Sequence, residues 1–244
     1  MTDDGVTNTT IIGRLLEEIS WEGKRVGLYR RGGRGMENVL TAEVMLALDF
    51  LPRTHFLAEV LRAAHGAENA LDGVAAQIED CELSVLPPQL TLKPGKIVVQ
   101  PDALLETADG YVLVEAKRSR RSYFGPEQLA REYLAVVREA QARDPVLLLI
   151  IGSPPPVTVK KQGLRDIAEA IKEHLPQVLA KTGAGGRSDD LVNRIPEIVS
   201  WITWTEIQTV VARQLSSMKI EDPSLRGTVE RLATAVSTAI AMHA

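Results

Sequence analysis

Cysteine is almost missing from this chain of 244 residues, and the single one, Cys81, excludes a disulfide framework, a cysteine-type zinc site and a cysteine-held iron–sulfur cluster. The four histidines, His55, His65, His174 and His243, have no metal-ligand spacing. No G-x-x-x-x-G-K-[ST] string is present, which argues against a P-loop NTPase, and no G-x-S-x-G, which argues against a hydrolase with a nucleophile elbow. Excess positive charge is lacking too. With a net charge of −4, the chain is not built for avid, sequence-independent coating of DNA. The longest apolar run, residues 146–151, is far too short to span a bilayer, and the acidic start Met1-Thr2-Asp3-Asp4 does not read as a signal peptide. The expectation is a soluble, cytoplasmic protein that meets no membrane.

What is present suits a globular chain with a sizeable core, at 45% hydrophobic and 25% charged residues. Apolar and β-branched runs predict strands over residues 78–86, 97–105, 111–117 and 146–151. Helices are expected over 37–65 and 126–142, the second from Leu129, Tyr133, Val136, Val137 and Ala140, which share one face. An amphipathic helix over 9–19 precedes a basic, Gly-rich loop. Pro154-Pro155-Pro156 stops regular structure, and a helix is expected to resume over 164–179. A further strand over 198–204 and a helix over 206–218 follow. The last helix opens at Asp222-Pro223, with Asp as N-cap and Pro at the first helical position. Three regions result: 1–33, a core over 34–152, and a mostly helical extension over 153–244 that packs on the core or forms an oligomer face.

The chemistry concentrates in two strings, Pro101-Asp102 and Glu115-Ala116-Lys117, carried by two strands with Asp109-Gly110 between them. A two-residue turn at Asp109-Gly110 would set Lys117 opposite Asp102 and Glu115 opposite Leu104. A four-residue loop over 107–110 would set Asp102 opposite Glu115. Either register places all three polar side chains on one face, whereas a three-residue loop would separate them. Opposed residues have Cβ atoms about 5 Å apart, close enough for two carboxylates to reach one ion. Hard cations such as Mg²⁺ are held by one or two carboxylates, with waters and substrate phosphate completing the shell. The Ala116 carbonyl adds an oxygen, and Lys117 brings a compact ammonium suited to phosphate.

With these strings, the chain resembles the PD-(D/E)XK nuclease superfamily, over residues 34–152. The resemblance implies an α/β fold of the restriction endonuclease-like type: an α-β-β-β-α-β core with a mixed central sheet flanked by helices. It also implies a metal-dependent phosphodiesterase, with Asp102 and Glu115 as metal ligands beside the Ala116 carbonyl, and Lys117 as a catalytic residue. Arg34-Gly35-Met36-Glu37 resembles the Arg-Gly-x-x-Glu string of resolvase-like members, which makes Glu37 a third acid, with Glu43 its competitor. Gln128 resembles the Gln that exonuclease-like members place after the Lys strand. In those members a Tyr follows four residues on, and here it comes five on, at Tyr133, so Tyr133 also reads as core.

Two basic clusters flank these residues. Arg118, Arg120 and Arg121 follow Lys117, and Arg31 and Arg34 precede Glu37; both suit phosphate contacts, and the first lies beside Tyr123 and Phe124, which can stack on an unpaired base. The expected activity is hydrolysis of DNA with Mg²⁺, or Mn²⁺ as substitute, more as an endonuclease than an exonuclease. RNA stays open as a substrate. So do a homodimer, a larger restriction, anti-phage defence or repair complex, and a nuclease-fold binding or assembly module that no longer cuts. The plain alternative for Asp102, Glu115 and Lys117 is a surface cross-strand salt bridge, worth at most about 1 kcal/mol.

Overall fold

A computed structural model describes residues 35–93, 97–118, 122–183 and 188–243. Helices α1 (Gly35–Phe50), α2 (Leu57–Arg62) and α3 (Glu68–Ala76) come first, and a 3₁₀ turn at Ile78–Asp80 leads into β1 (Glu82–Val85). Strands β2 (Leu90–Lys93) and β3 (Ile97–Val99) form a separate ribbon. The hairpin β4 (Ala103–Glu106) and β5 (Gly110–Ala116) is followed by α4 (Gln128–Glu139) and β6 (Asp144–Ile151). A second ribbon, β7 (Val157–Val159) with β8 (Gly163–Arg165), precedes α5 (Ile167–Thr182), α6 (Ser188–Asn193), α7 (Ile195–Ile198), β9 (Val199–Thr203), α8 (Trp204–Ser217) and α9 (Pro223–His243).

The chain is an α/β protein with a mixed five-stranded central sheet in the order β1-β4-β5-β6-β9. β1, β4 and β5 run antiparallel, β4 and β5 through a tight hairpin and β1 and β4 through the β2–β3 ribbon, while β5, β6 and β9 are parallel because helical crossovers join them. β6 is buried on both faces, which is why it reads as the unbroken apolar run Val146-Leu147-Leu148-Leu149-Ile150-Ile151. Alternation sorts the residues of the central hairpin between two cores. Ala103, Leu105, Val112, Val114 and Ala116 face a core built from α1, α2, α3, α8 and α9. Leu104, Tyr111 and Leu113 face the other, built from α4 and α5. Helix α9 lies along α1. No helix among the described residues is long and apolar enough to cross a membrane.

Several expected boundaries move, each for a local reason. The single helix over 37–65 is two helices, because Pro52 disfavours helical backbone at Leu51. The strand over 97–105 is broken at Gln100-Pro101: Pro101 has no N–H to give a ladder, and the Gln100 amide donates to the Pro87 carbonyl (2.6 Å). Its halves therefore join different sheets, β3 pairing with β2, and β4 with β1 and β5. The first part of the expected strand 78–86 is the 3₁₀ turn. Leu164 lies in β8 and not in a helix, since Asp166 caps α5 by accepting from Glu169 N–H (3.1 Å). The last helix starts as its sequence predicts, with Asp222 Oδ1 accepting from the N–H groups of Ser224 (2.8 Å) and Leu225 (2.9 Å). The expected helix over 9–19 lies outside the described residues.

Candidate functional site

Register decides which face each polar residue takes. β4 and β5 pair Ala103 with Val114 and Glu106 with Tyr111, so residues 107–110 close the hairpin and the two-residue turn is not formed. The Thr107 N–H donates to the Gly110 carbonyl (3.0 Å), and the Gly110 N–H to Thr107 Oγ1 (2.9 Å). A Cβ on Gly110 would stand 2.3 Å from Val74 Cγ2, so only glycine lets α3 pack this closely on the hairpin. One step past the last pair, the Asp102 N–H donates to the Val114 carbonyl (3.0 Å). Asp102 is thereby level with Glu115, on the face that carries Leu104 and Leu113 toward α4.

Both carboxylates are buried, Asp102 at 8% exposure and Glu115 at 4%. Asp102 Oδ2 accepts the Ala116 N–H (2.7 Å), which fixes the carboxylate against the end of β5. Glu115 Oε1 accepts from Lys117 Nζ (2.5 Å) and from Gln128 Nε2 (2.5 Å). The Gln128 carbonyl oxygen in turn accepts the Gly125 N–H (3.0 Å), which orients the amide. Lys117 Nζ also donates to the Ala116 carbonyl (3.1 Å) and lies 5.4 Å from the Phe124 ring centroid, a cation–π distance. The backbone of Lys117 is held from both sides: its N–H donates to the Ile150 carbonyl (2.7 Å), and its carbonyl accepts from Trp204 Nε1 (3.1 Å).

This is not a surface salt bridge, since the Lys117 and Glu115 side chains are only 12% and 5% exposed. Taking such ions out of water costs several kcal/mol each, a cost an exposed pair would not carry. Among the described residues no three His, Cys, Asp or Glu side chains gather as a metal cage. The oxygens a bound ion could meet here are those of the two carboxylates and the Ala116 carbonyl, a donor set that suits a hard cation such as Mg²⁺.

Glu132 is the residue that sequence reasoning missed. One turn after Gln128 on α4, it is 3% exposed, and its Oε2 has no hydrogen-bond partner. Burial raises its carboxyl well above the ordinary value of 4.5, and the neighbouring Glu115 raises it further; Lys117 and a hydrogen bond with Gln128 act the other way. The sequence does carry a signal. Glu132 interrupts the apolar stripe of Leu129, Tyr133 and Val136, and an acid there is buried if the helix is packed as the stripe requires.

The remaining expected residues divide. Glu37 lies in the first turn of α1, but its side chain lies outside the described residues, as do Arg31, Arg34, Arg120 and Arg121. Arg118 follows Lys117 directly and is half-buried, and Glu43 is exposed on α1. Tyr133 is core: its hydroxyl donates to the Leu191 carbonyl (2.6 Å), and burial pushes the phenol up to about 12. Tyr123 is 49% exposed with Lys160 Nζ 5.4 Å from its ring centroid, while Phe124 is buried. Cys81 is buried and its thiol is pushed up to about 11, which suits an inert thiol and not a nucleophile.

Comparison of the chain with protein-family models, with curated proteins and with solved structures finds no match in any of the three.

Proposed function

We propose that this chain is a divalent-metal-dependent nuclease of the PD-(D/E)XK type that hydrolyses phosphodiester bonds in DNA. One observation carries the reading: Asp102, Glu115, the Ala116 carbonyl and Lys117 converge in a single buried cluster at the end of β5. Buried oppositely charged groups with fixed orientation are what a site needs in order to act on charge that develops during reaction. Asp102 and Glu115 would hold the ion, each turned by a neighbour, the Ala116 N–H for Asp102 and the Gln128 amide for Glu115. When bound there, Mg²⁺ supplies neutralisation of phosphate charge and a more acidic water. Lys117 would bring its ammonium to a phosphate oxygen and stabilise the charge that builds there. Gln128 sets the position of the Glu115 carboxylate through its amide.

The test incubates purified protein with linear, circular and single-stranded DNA, and with RNA, in Mg²⁺, Mn²⁺ or EDTA. Cleavage is expected with either metal and not in EDTA, and cutting of circles would establish endonuclease action. Asp102→Asn and Glu115→Gln keep the shape and the hydrogen-bond acceptors. Each should reduce cleavage by more than the roughly 10–100-fold that loss of an outer-shell partner costs at metal sites. No cleavage of any substrate by the wild type, or near-wild-type activity in either variant, would overturn the proposal.

A further inference from the structure

A pocket of about 380 Å³ opens beside the carboxylate cluster, within the range of roughly 300–1,000 Å³ typical of small-ligand sites. It lies where ligands bind in open α/β sheets, outside the carboxyl ends of parallel strands. Lys117, one of its walls, is the first residue after β5, and Gly152, another, is the first after β6. The pocket therefore shares Lys117 with the site already described.

Its far wall is preformed. The ribbon β7–β8 is fastened to the segment after β5, because the Phe124 N–H donates to the Thr158 carbonyl (2.9 Å) and the Lys160 N–H to the Phe124 carbonyl (2.9 Å). Thr158 pairs with Leu164 in this ribbon, so both side chains stand on its outer face, away from the buried Val157 and Val159. Leu164 remains 64% exposed. The buried Phe124 and the rings of Pro154 and Pro156 also line the pocket. The lining thus joins apolar side chains to the hydroxyl residues Ser122, Ser153 and Thr158 and to one cationic residue, Lys117. That combination matches a planar heteroaromatic ring with a phosphate attached: a single nucleobase with its backbone.

We propose that this pocket receives one unpaired nucleobase of the substrate strand, next to the phosphate held at Lys117. The enzyme would then prefer DNA with single-stranded character, at ends, flaps, gaps or an extruded base, over uniformly paired duplex. This rests on the nuclease reading and narrows its substrate class. An unpaired base can enter such a pocket directly, whereas a paired one must first leave its stack and its partner at a cost in free energy.

The experiment uses the full chain and oligonucleotides carrying 2-aminopurine at successive positions. Fluorescence is read in Ca²⁺, and cleavage in Mg²⁺. Wild type should cut a strand unpaired at the scissile position at least about tenfold faster than the paired duplex, in line with base stacking on protein surfaces. One 2-aminopurine position should change its fluorescence on binding. Thr158→Trp, which fills the pocket, should abolish both the preference and the signal, so that unpaired and paired strands are cut at equal rates. Leu164→Ser, at an exposed position that tolerates substitution, should weaken both and keeps the test valid if the Trp variant fails to fold. Cleavage without preference, or preference and signal retained in folded variants, overturns the pocket assignment and leaves the nuclease reading intact. A 2-aminopurine signal lost in the variants, with no cleavage of any substrate, overturns the nuclease reading and leaves the base site standing.

Discussion

Lys117→Ala tests whether the cluster is a buried functional pair or an ordinary strand-end contact. The Lys117 and Glu115 side chains are 12% and 5% exposed and meet at 2.5 Å. If the pair behaved like an exposed salt bridge, its loss would cost about 0–1 kcal/mol. Removing one partner of a buried pair instead leaves the other charge desolvated without its counter-ion, at a cost of roughly 3–5 kcal/mol. For a chain of this size, each kcal/mol moves Tm by about 2–4 °C. Thermal unfolding in EDTA should therefore show a Tm lower by roughly 6–20 °C in the variant, given the same conversion. Mg²⁺ should raise Tm more in Lys117→Ala than in wild type, because a divalent cation between the carboxylates takes over the lost ammonium's electrostatic role. Catalysis should fail separately: DNA affinity in Ca²⁺ is kept, single-turnover cleavage is lost, and Lys117→Arg restores it only in part because a planar fork replaces a compact cation. A Tm drop of under about 2 °C in EDTA, or equal Mg²⁺ gains in the two proteins, would refute the reasoning.

Three further outcomes follow from the same geometry. Glu132 titrates above the ordinary 4.5 in the folded state, so folding favours its protonated form; the stability this contributes is full below the unfolded value and is lost as pH rises through the folded one. Glu132→Gln should remove that decline, so its Tm relative to wild type should climb with pH, and a constant difference from about pH 4 to about pH 9 would contradict the assignment. Gly110→Ala puts a Cβ 2.3 Å from Val74 Cγ2 and should lower stability by roughly 1–3 kcal/mol in denaturant titration, with an unchanged midpoint counting against the close packing of α3 on the hairpin. Replacing Arg118, Arg120 and Arg121 together by Ala should flatten the salt dependence of DNA affinity by about one unit of log–log slope per lost phosphate contact, and an unaltered slope would assign the cluster to a solvated loop.

The strands and the acid pair were legible because they rest on short-range rules. β-branched runs, a Gly-containing turn and period-2 alternation bring Asp102 and Glu115 to one face for a two- or a four-residue loop, and the loop length was the open point, since a three-residue loop would have separated them; the structure has the four-residue loop. Gln128 was legible through a resemblance, and the amide does contact Glu115. What escaped depends on distant partners. Glu132 looks like a solvated helix charge until β5 and α4 are packed together. The ribbons β2–β3 and β7–β8 consist of strands only three or four residues long, below what alternation can register. Pro101 was read as part of a site string, yet its missing N–H also decides where one strand stops and the next begins.

Three neighbouring parallel strands each hand over to a site residue at the first position beyond their ends: Lys117 after β5, Gly152 after β6 and Trp204 after β9. Chemistry and recognition are thus written in different parts of the chain. The carboxylates are fixed by ladder hydrogen bonds inside the sheet, whereas the segments that leave it can change length or composition without shifting them. On the proposed reading, grafting another sequence between Val157 and Arg165 would alter which nucleotide is accommodated while Asp102 and Glu115 keep their spacing. The scaffold accordingly separates a variable ribbon from a hairpin that can be held constant.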